Sequence, residues 1–399
     1  MIDKDILKKV VSSNFSSLLI ISLLFVFPAI IGRPYWVSIF TVALIWAIFA
    51  ISYDIVFGQT GILSFGHTAP FGLAAFVAAY LMFNGFPFII ALMMGIVVGM
   101  TTNVLMGLPV RRVRGVYYAI LTLAFAEVAR ISIDNLARYI GTSIAFSAGY
   151  PQIVWSEIFY YFNLVIVLIL LMFIVWSLYI RVKEMRRVSI GDAISIFISI
   201  LIIGVVIYGF INYLDGSLIR GFRILTINFY FLTLIFFIIS YYIARRIISS
   251  PVGSVWRAIR ENPMRTEMLG YNIYTYRLYS LAVSGALAGV AGTLFAATTV
   301  VNTETALSAM NTLIVLLSVI LGGAGTLIGP ALGMLIVQIL RYFLASAPIF
   351  SYASMAIIGF IYIIVVLLFP YGIVGSWYLK AIRLRRKIMR VLSRRIWSR

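Results

Sequence analysis

Long apolar runs separated by short polar or basic stretches repeat along the whole chain. Runs of about 20 residues suffice to cross roughly 30 Å of hydrocarbon as helices. Their continuity argues against a β-barrel, whose strands alternate over about 10 residues. The pattern predicts an all-α, polytopic membrane helix bundle with about ten to twelve crossings. The expected spans are 16–31, 35–57, 64–82, 86–108, 115–134, 158–180, 190–212, 223–244, 277–300, a short 311–321, 328–345 and 353–376. Glycine and proline interrupt 58–72 and 322–333, so these segments are expected to be broken or re-entrant rather than plain spans.

Composition narrows the class further, since 63% of the 399 residues are hydrophobic and 11% are charged, far from a soluble domain. There is no cysteine, which excludes disulfides and thiolate metal sites. The acids and lysines of 1–10 and the lack of a small-residue cleavage site after 16–31 argue against a cleavable signal peptide. Placing the N-terminus inside puts 25 of the 31 basic residues at inner ends, so the chain is expected to be multi-pass in the cell membrane with both termini cytoplasmic. The net charge of +19 is then explained by topology signals and lipid headgroups rather than nucleic acid. A basic cytoplasmic tail over 377–399 is expected to rest on the membrane surface, with Ile388, Leu392, Ile396 and Trp397 toward lipid.

The longest polar stretch between spans, 245–277, reads as a helix leaving the membrane, a turn at Ser250 and Pro251, and an amphipathic helix ending near Gly270. Val255, Ile259, Met264 and Met268 are expected to form one apolar ridge, flanked by Arg257, Arg260, Glu261, Arg265 and Glu267. Such a helix either lies on lipid or docks a cytoplasmic partner.

Four blocks now carry a resemblance. The run 257-RAIRENPMRTEMLGYNIYTYRLYSLAVSGALAGVAGTLFA-296 resembles the stretch after the coupling loop in permease subunits of branched-chain amino acid ABC importers, the LivM-like family. The segments 114-RGVYYAILTLAFAEVAR-130, 318-SVILGGAGTLIGPALGMLI-336 and 58-GQTGILSFGHTAPFG-72 are similar to that family's other motifs, the last with two extra residues after Gln59 and an unusual Pro70. The resemblance implies a single permease domain over 1–399 with a cytoplasmic coupling region at 245–276. It also implies a second permease subunit, cytoplasmic ATP-binding subunits and an extracytoplasmic solute-binding protein. The solute would be a branched-chain or other hydrophobic amino acid; urea, short amides and other small solutes are carried by similar permeases. Two departures stand out: an added hairpin at about 181–222, and a loop at 139–154 without the family's T-G-G-x-x-G-L signature. No G-x-x-x-x-G-K-[ST] loop occurs, so the chain is expected to be no enzyme and to carry no cofactor, with ATP bound by a partner subunit.

Interrupted helices point to a transport pathway, which makes Gly58, Gln59, Ser64, Gly66, His67, Thr68 and Pro70 the first set of pathway candidates and Gly323, Gly325, Gly329 and Pro330 the second, with Thr122 and Glu127 from the 115–134 span. Close helix packing is the competing role for the glycines. His67 either meets solute or serves as a hydrogen-bonded linker, and a metal site is not expected. Glu127 is expected to pair with Arg130 or with a polar residue of another span. For coupling to the ATP-binding subunits the candidates are Gly253, Arg257, Arg260, Glu261, Arg265, Met268 and Gly270. A gradient-driven transporter would instead rely on intramembrane carboxylates, for which Glu127, Asp134 and Asp54 are the short list.

Overall fold

The computed structural model describes residues 34–113, 115–140, 220–346, 354–368 and 372–373. The expected spans at 16–31, 158–180 and 190–212, Arg114, most of the 139–154 loop and of the added hairpin, and the basic tail lie outside these residues. The described elements are helices: α1 (Pro34–Asp54), α2 (Thr68–Phe83), α3 (Phe88–Gly107), α4 (Val116–Ile140), α5 (Arg220–Ile248), α6 (Pro251–Glu261), α7 (Pro263–Met268), α8 (Ile273–Thr298), α9 (Thr303–Leu307), α10 (Ala309–Gly322), α11 (Ile328–Ser346) and α12 (Ser354–Leu368). Six stretches among them are long and apolar enough to cross a membrane, and Thr68–Phe83 and Ile328–Leu344 are shorter apolar helices. The two shorter ones follow the two interruptions foreseen from glycine and proline.

The chain divides into two compact units. In the first, Met1–Thr41 with Gln152–Ile235, the described parts are the start of α1 and most of α5. The second, Val42–Pro151 with Phe236–Arg399, holds everything discussed below.

Its core follows from helix composition. α1 is apolar on every side, and a helix without a polar face belongs in the interior; Ala43, Leu44, Ile45, Ala47, Ile48 and Phe49 are fully buried. Trp46 and Phe49 meet Phe71 of α2 and Phe295 of α8 in a ring cluster, with Phe49 and Phe71 centroids 4.7 Å apart. α3 lies against α8 so closely that a Cβ on Gly99 would strike the Gly285 carbonyl, and one on Gly289 the Gly95 carbonyl. Without a hydrophobic force between helices in lipid, such backbone approach supplies the packing. Asn103 Nδ2 adds a 2.8 Å bond to the Leu281 carbonyl across the same crossing. The opposite face of α3, with Ile89, Met93, Val97 and Met100, is exposed and apolar, as a lipid-facing surface must be. α10, α11 and α12 pack on one another, with the Ser318 and Tyr362 hydroxyls 3.1 Å apart.

Candidate functional site

α1 does not end cleanly. After Asp54 the chain widens into a π turn, Ile55–Gln59, and then runs without helix until Thr68. At Gly58 an added Cβ would collide with the Asp54 carboxylate, so only glycine fits this turn. Irregular backbone at membrane depth has to find its partners within the protein, and here three helices supply them. Tyr53 Oη of α1 donates to the Ser64 carbonyl at 2.9 Å. The Phe65 amide donates to Thr122 Oγ1 of α4 at 3.1 Å, and the Thr68 amide to Thr312 Oγ1 of α10 at 3.1 Å. Gly66 lies where a Cβ would strike the Thr122 carbonyl, so it permits contact with α4. Pro70 does not interrupt anything: it is the third residue of α2, in the first turn, where a missing N–H breaks no helical bond.

His67 is fully buried between α1 and α8. Its ring stacks on Phe49 at 5.4 Å between centroids and meets Tyr53 edge-on at 5.2 Å. Its Nε2 lies 3.0 Å from Ser52 Oγ and 3.2 Å from Ser284 Oγ. The protons on these hydroxyls are already committed, because Ser52 Oγ donates to the Phe49 carbonyl and Ser284 Oγ to the Ser52 carbonyl. Nε2 must therefore carry the proton and donate to both oxygens. Nδ1 is left as a buried lone pair without a hydrogen-bond partner. This geometry is that of a linker between helices.

The second interruption faces the first. α10 ends at Gly322, and the chain turns through Gly323, with φ 111°, and Gly325, with φ 83°, before α11 begins at Ile328. The turn is held from α1. Asp54 accepts from the Gly325 amide at 2.7 Å and the Leu327 amide at 3.2 Å, while Gln59 Nε2 donates to the Gly325 carbonyl at 2.8 Å. Leu327 itself has φ 62°, a left-handed conformation that costs a non-glycine residue about 1–2 kcal/mol and persists because the surrounding bonds impose it. Gly329 allows α11 to touch the Gly322 carbonyl, and Pro330, like Pro70, is the third residue of its helix. Asp54, short-listed in the sequence as an intramembrane carboxylate, thus bonds the turn of the second interruption from the end of α1 where the first begins.

The 245–276 stretch departs from expectation in two ways. The single amphipathic helix is two, since Pro263 disfavours a helical residue before it, and Asn262 is extended at φ −155° and ψ 98°. Asn262 Oδ1 then caps α7 by accepting from the Arg265 amide at 3.1 Å. The apolar ridge also splits. Val255 and Ile259 are buried beneath α6, while Met264 and Met268 of α7 are 61% and 82% exposed, with Leu269 beside them. Trp256 anchors α6 on α8 by donating from Nε1 to the Tyr276 carbonyl at 2.9 Å. Gly253 packs against the Ile248 carbonyl, to which Arg257 donates at 3.0 Å. Glu261 and Arg265 are exposed. Gly270, at φ 87°, ends α7 in a Schellman motif: its amide bonds to the Glu267 carbonyl and that of Tyr271 to Thr266. Arg260 remains exposed overall, but its tip reaches the first interruption, donating from Nη1 to the Gly58 carbonyl.

Glu127 is placed apart from both interruptions. It pairs with Arg130 at 2.8 Å, and Arg130 reaches Asp134 at 3.4 Å, all three side chains being about one-third exposed. Among the described residues no group of three or more metal-type side chains is gathered. Ser52, Ser284, Thr312 and Trp256 carry much of this arrangement and were not singled out in the sequence. Their only signals are a hydroxyl or an indole within otherwise apolar or basic runs.

Residues 35–366, which include both interruptions and the 245–276 stretch, match the family described as branched-chain amino acid transport system, permease component. The chain belongs to this family. It is 25% identical over 338 residues to the high-affinity branched-chain amino acid transport system permease protein LivM of Salmonella typhimurium strain LT2, covering 84% of this chain and 69% of that one. The LivM protein of Escherichia coli strain K12 shows the same identity and coverage. A probable branched-chain amino acid transport permease protein LivM of Methanocaldococcus jannaschii is 33% identical over 105 residues, 26% of this chain and 30% of that one. No solved structure matches the chain. As a permease component, the protein is a multi-pass membrane transport subunit and not an enzyme.

Proposed function

We propose that this permease forms half of the membrane pathway of an ATP-driven importer for branched-chain amino acids, with a second permease subunit, cytoplasmic ATP-binding subunits and an extracytoplasmic solute-binding protein as partners. The observation that carries the reading is α7: a capped helix between two spans that presents Met264, Met268 and Leu269 while α6 beneath it is anchored in the membrane helices. Apolar side chains held outward on a rigid support suit a protein partner, because contacts that fill a pocket carry most of an interface's energy. The carboxylates on which gradient coupling would depend are already engaged, Asp54 by backbone amides and Glu127 and Asp134 by Arg130.

The orientation follows the same reading, with both termini cytoplasmic. The end of α3 and the start of α8 border one cleft of about 590 Å³, lined among others by Arg111, Glu267, Tyr271 and Arg277. Two basic ends that share a cleft lie on one side of the membrane, and the basic bias makes that side the cytoplasm.

Co-expression tests the assignment. The detergent-extracted permease is expected to retain its ATP-binding subunits through affinity purification, and Met268→Asp to release them. A permease that purifies without them and moves leucine in liposomes on an ion gradient alone would refute it.

A further inference from the structure

We propose that Arg260 is a positioning residue that ties the coupling region to both interrupted membrane segments at once, so that movement of α6 reaches the two breaks through a single guanidinium. The proposal rests on the permease reading above. It begins from where the side chain goes: Arg260 belongs to a largely exposed row of α6, yet Nη1 donates to the carbonyl of Gly58 in the π turn that ends α1. A carbonyl at the end of a helix lacks an intrahelical donor, and a cation suits the negative end of the helix dipole.

Two glycines make room for that approach. A Cβ on Gly61 would lie 2.8 Å from Arg260 Cγ, and one on Gly325 would lie 2.7 Å from Nη1. A Cβ on Gly58 would strike the Gly325 amide that Asp54 holds. The guanidinium therefore sits in a notch with walls from both interruptions. Behind it, Gly325 is held on its amide by Asp54 and on its carbonyl by Gln59, both belonging to the first interrupted segment.

The rest of α6 cannot absorb a displacement by itself. Val255, Trp256 and Ile259 are buried, and Trp256 is bonded to α8, so α6 moves with α8 as a lever. If α7 is pushed by a partner, α6 and α8 shift relative to α1, and the Arg260 contact is where that shift meets the end of α1. Because Asp54 and Gln59 already join that end to the Gly325 turn, both breaks receive the same displacement. The physical claim is one polar contact with two outcomes, kept or broken, biased by the coupling region.

The test uses the full transporter, reconstituted in proteoliposomes with its ATP-binding subunits, sister permease and binding protein, and reads leucine moved per ATP hydrolysed. Arg260→Ala is expected to lower that ratio about ten-fold, the weight of one charge-assisted hydrogen bond. Arg260→Lys, which keeps a charged donor, is expected to recover to within about three-fold of wild type. Gly61→Ala keeps the guanidinium but pushes on its stem and strains a left-handed backbone at φ 74°, and is expected to lower the ratio as well. A purely structural role would reduce uptake and hydrolysis together and leave the ratio at the wild-type value; that outcome in Arg260→Ala and Gly61→Ala overturns the proposal. A wild-type complex without ATP-driven uptake would instead refute the permease reading, which separates the two failures.

Discussion

His67 joins three helices through one proton. Both serine hydroxyls that reach Nε2 have given their own protons to backbone carbonyls, so the imidazole is the neutral Nε2–H tautomer. ¹⁵N NMR of histidine-labelled protein is expected to show that tautomer, and an Nδ1–H signal would contradict the arrangement. The neighbouring positions separate two kinds of break. Gly66→Ala drives a methyl into the Thr122 carbonyl and should destabilise the purified permease by about 1–3 kcal/mol, the cost of a misplaced methyl in a packed interior, seen as a lower melting temperature. Pro70→Ala, in the first turn of α2, should leave it within about 1 kcal/mol of wild type. Sequence alone marked 58–72 as an interruption because glycine, proline and hydroxyls are rare company in an apolar run. It offered a hydrogen-bonded linker as one of two roles for His67, but the histidine's partners lie 15 and 217 residues away, and no local pattern reports such pairings. It also counted Pro70 among the breakers, a role that depends on the position within the helix, which the interruption itself decides.

At the scale of elements, the coupling region shows how far periodicity reaches. Spacing identified the amphipathic character of 252–268 correctly, yet it assigned Val255, Ile259, Met264 and Met268 to one ridge, because a 3.6-residue period assumes an unbroken helix. Pro263 resets the phase, so the first pair faces the membrane helices and the second faces away. The pairs should respond differently to the same change. Ile259→Asp buries an unpaired charge and should destabilise the permease by several kcal/mol, seen as lost monodisperse yield. Met268→Asp should leave the permease itself purifying normally but without its ATP-binding subunits, so that mixing the separately purified parts restores no solute-stimulated ATP hydrolysis; stimulation at the wild-type rate would return α7 to a helix resting on lipid. Gly270→Val should weaken the end of α7 by about 1–2 kcal/mol, through its left-handed backbone rather than through crowding, since no atom stands near a Cβ there.

Across the whole molecule, the apolar pattern made the helical membrane class and the positions of most described spans legible, since burial in lipid needs only length and hydropathy. The Asp54 contact was not legible in full. A carboxylate near a helix end is visible in the sequence, but the two amides it holds are about 270 residues away and depend on the turn after α10. The absence of cysteine makes the orientation simple to test, as single engineered thiols have no background. A membrane-impermeant maleimide is expected to label Asn84→Cys, in the exposed turn between α2 and α3, from outside intact cells, and Met268→Cys only after the membrane is opened. The most direct measurement of the central claim is leucine uptake by proteoliposomes that contain the permease, its sister permease and the ATP-binding subunits, with binding protein and leucine outside and ATP inside. ATP is expected to drive accumulation against the leucine gradient, with none when ATP is replaced by a non-hydrolysable analogue or the binding protein is left out. Equal accumulation without ATP, following an imposed proton or sodium gradient, would contradict the account.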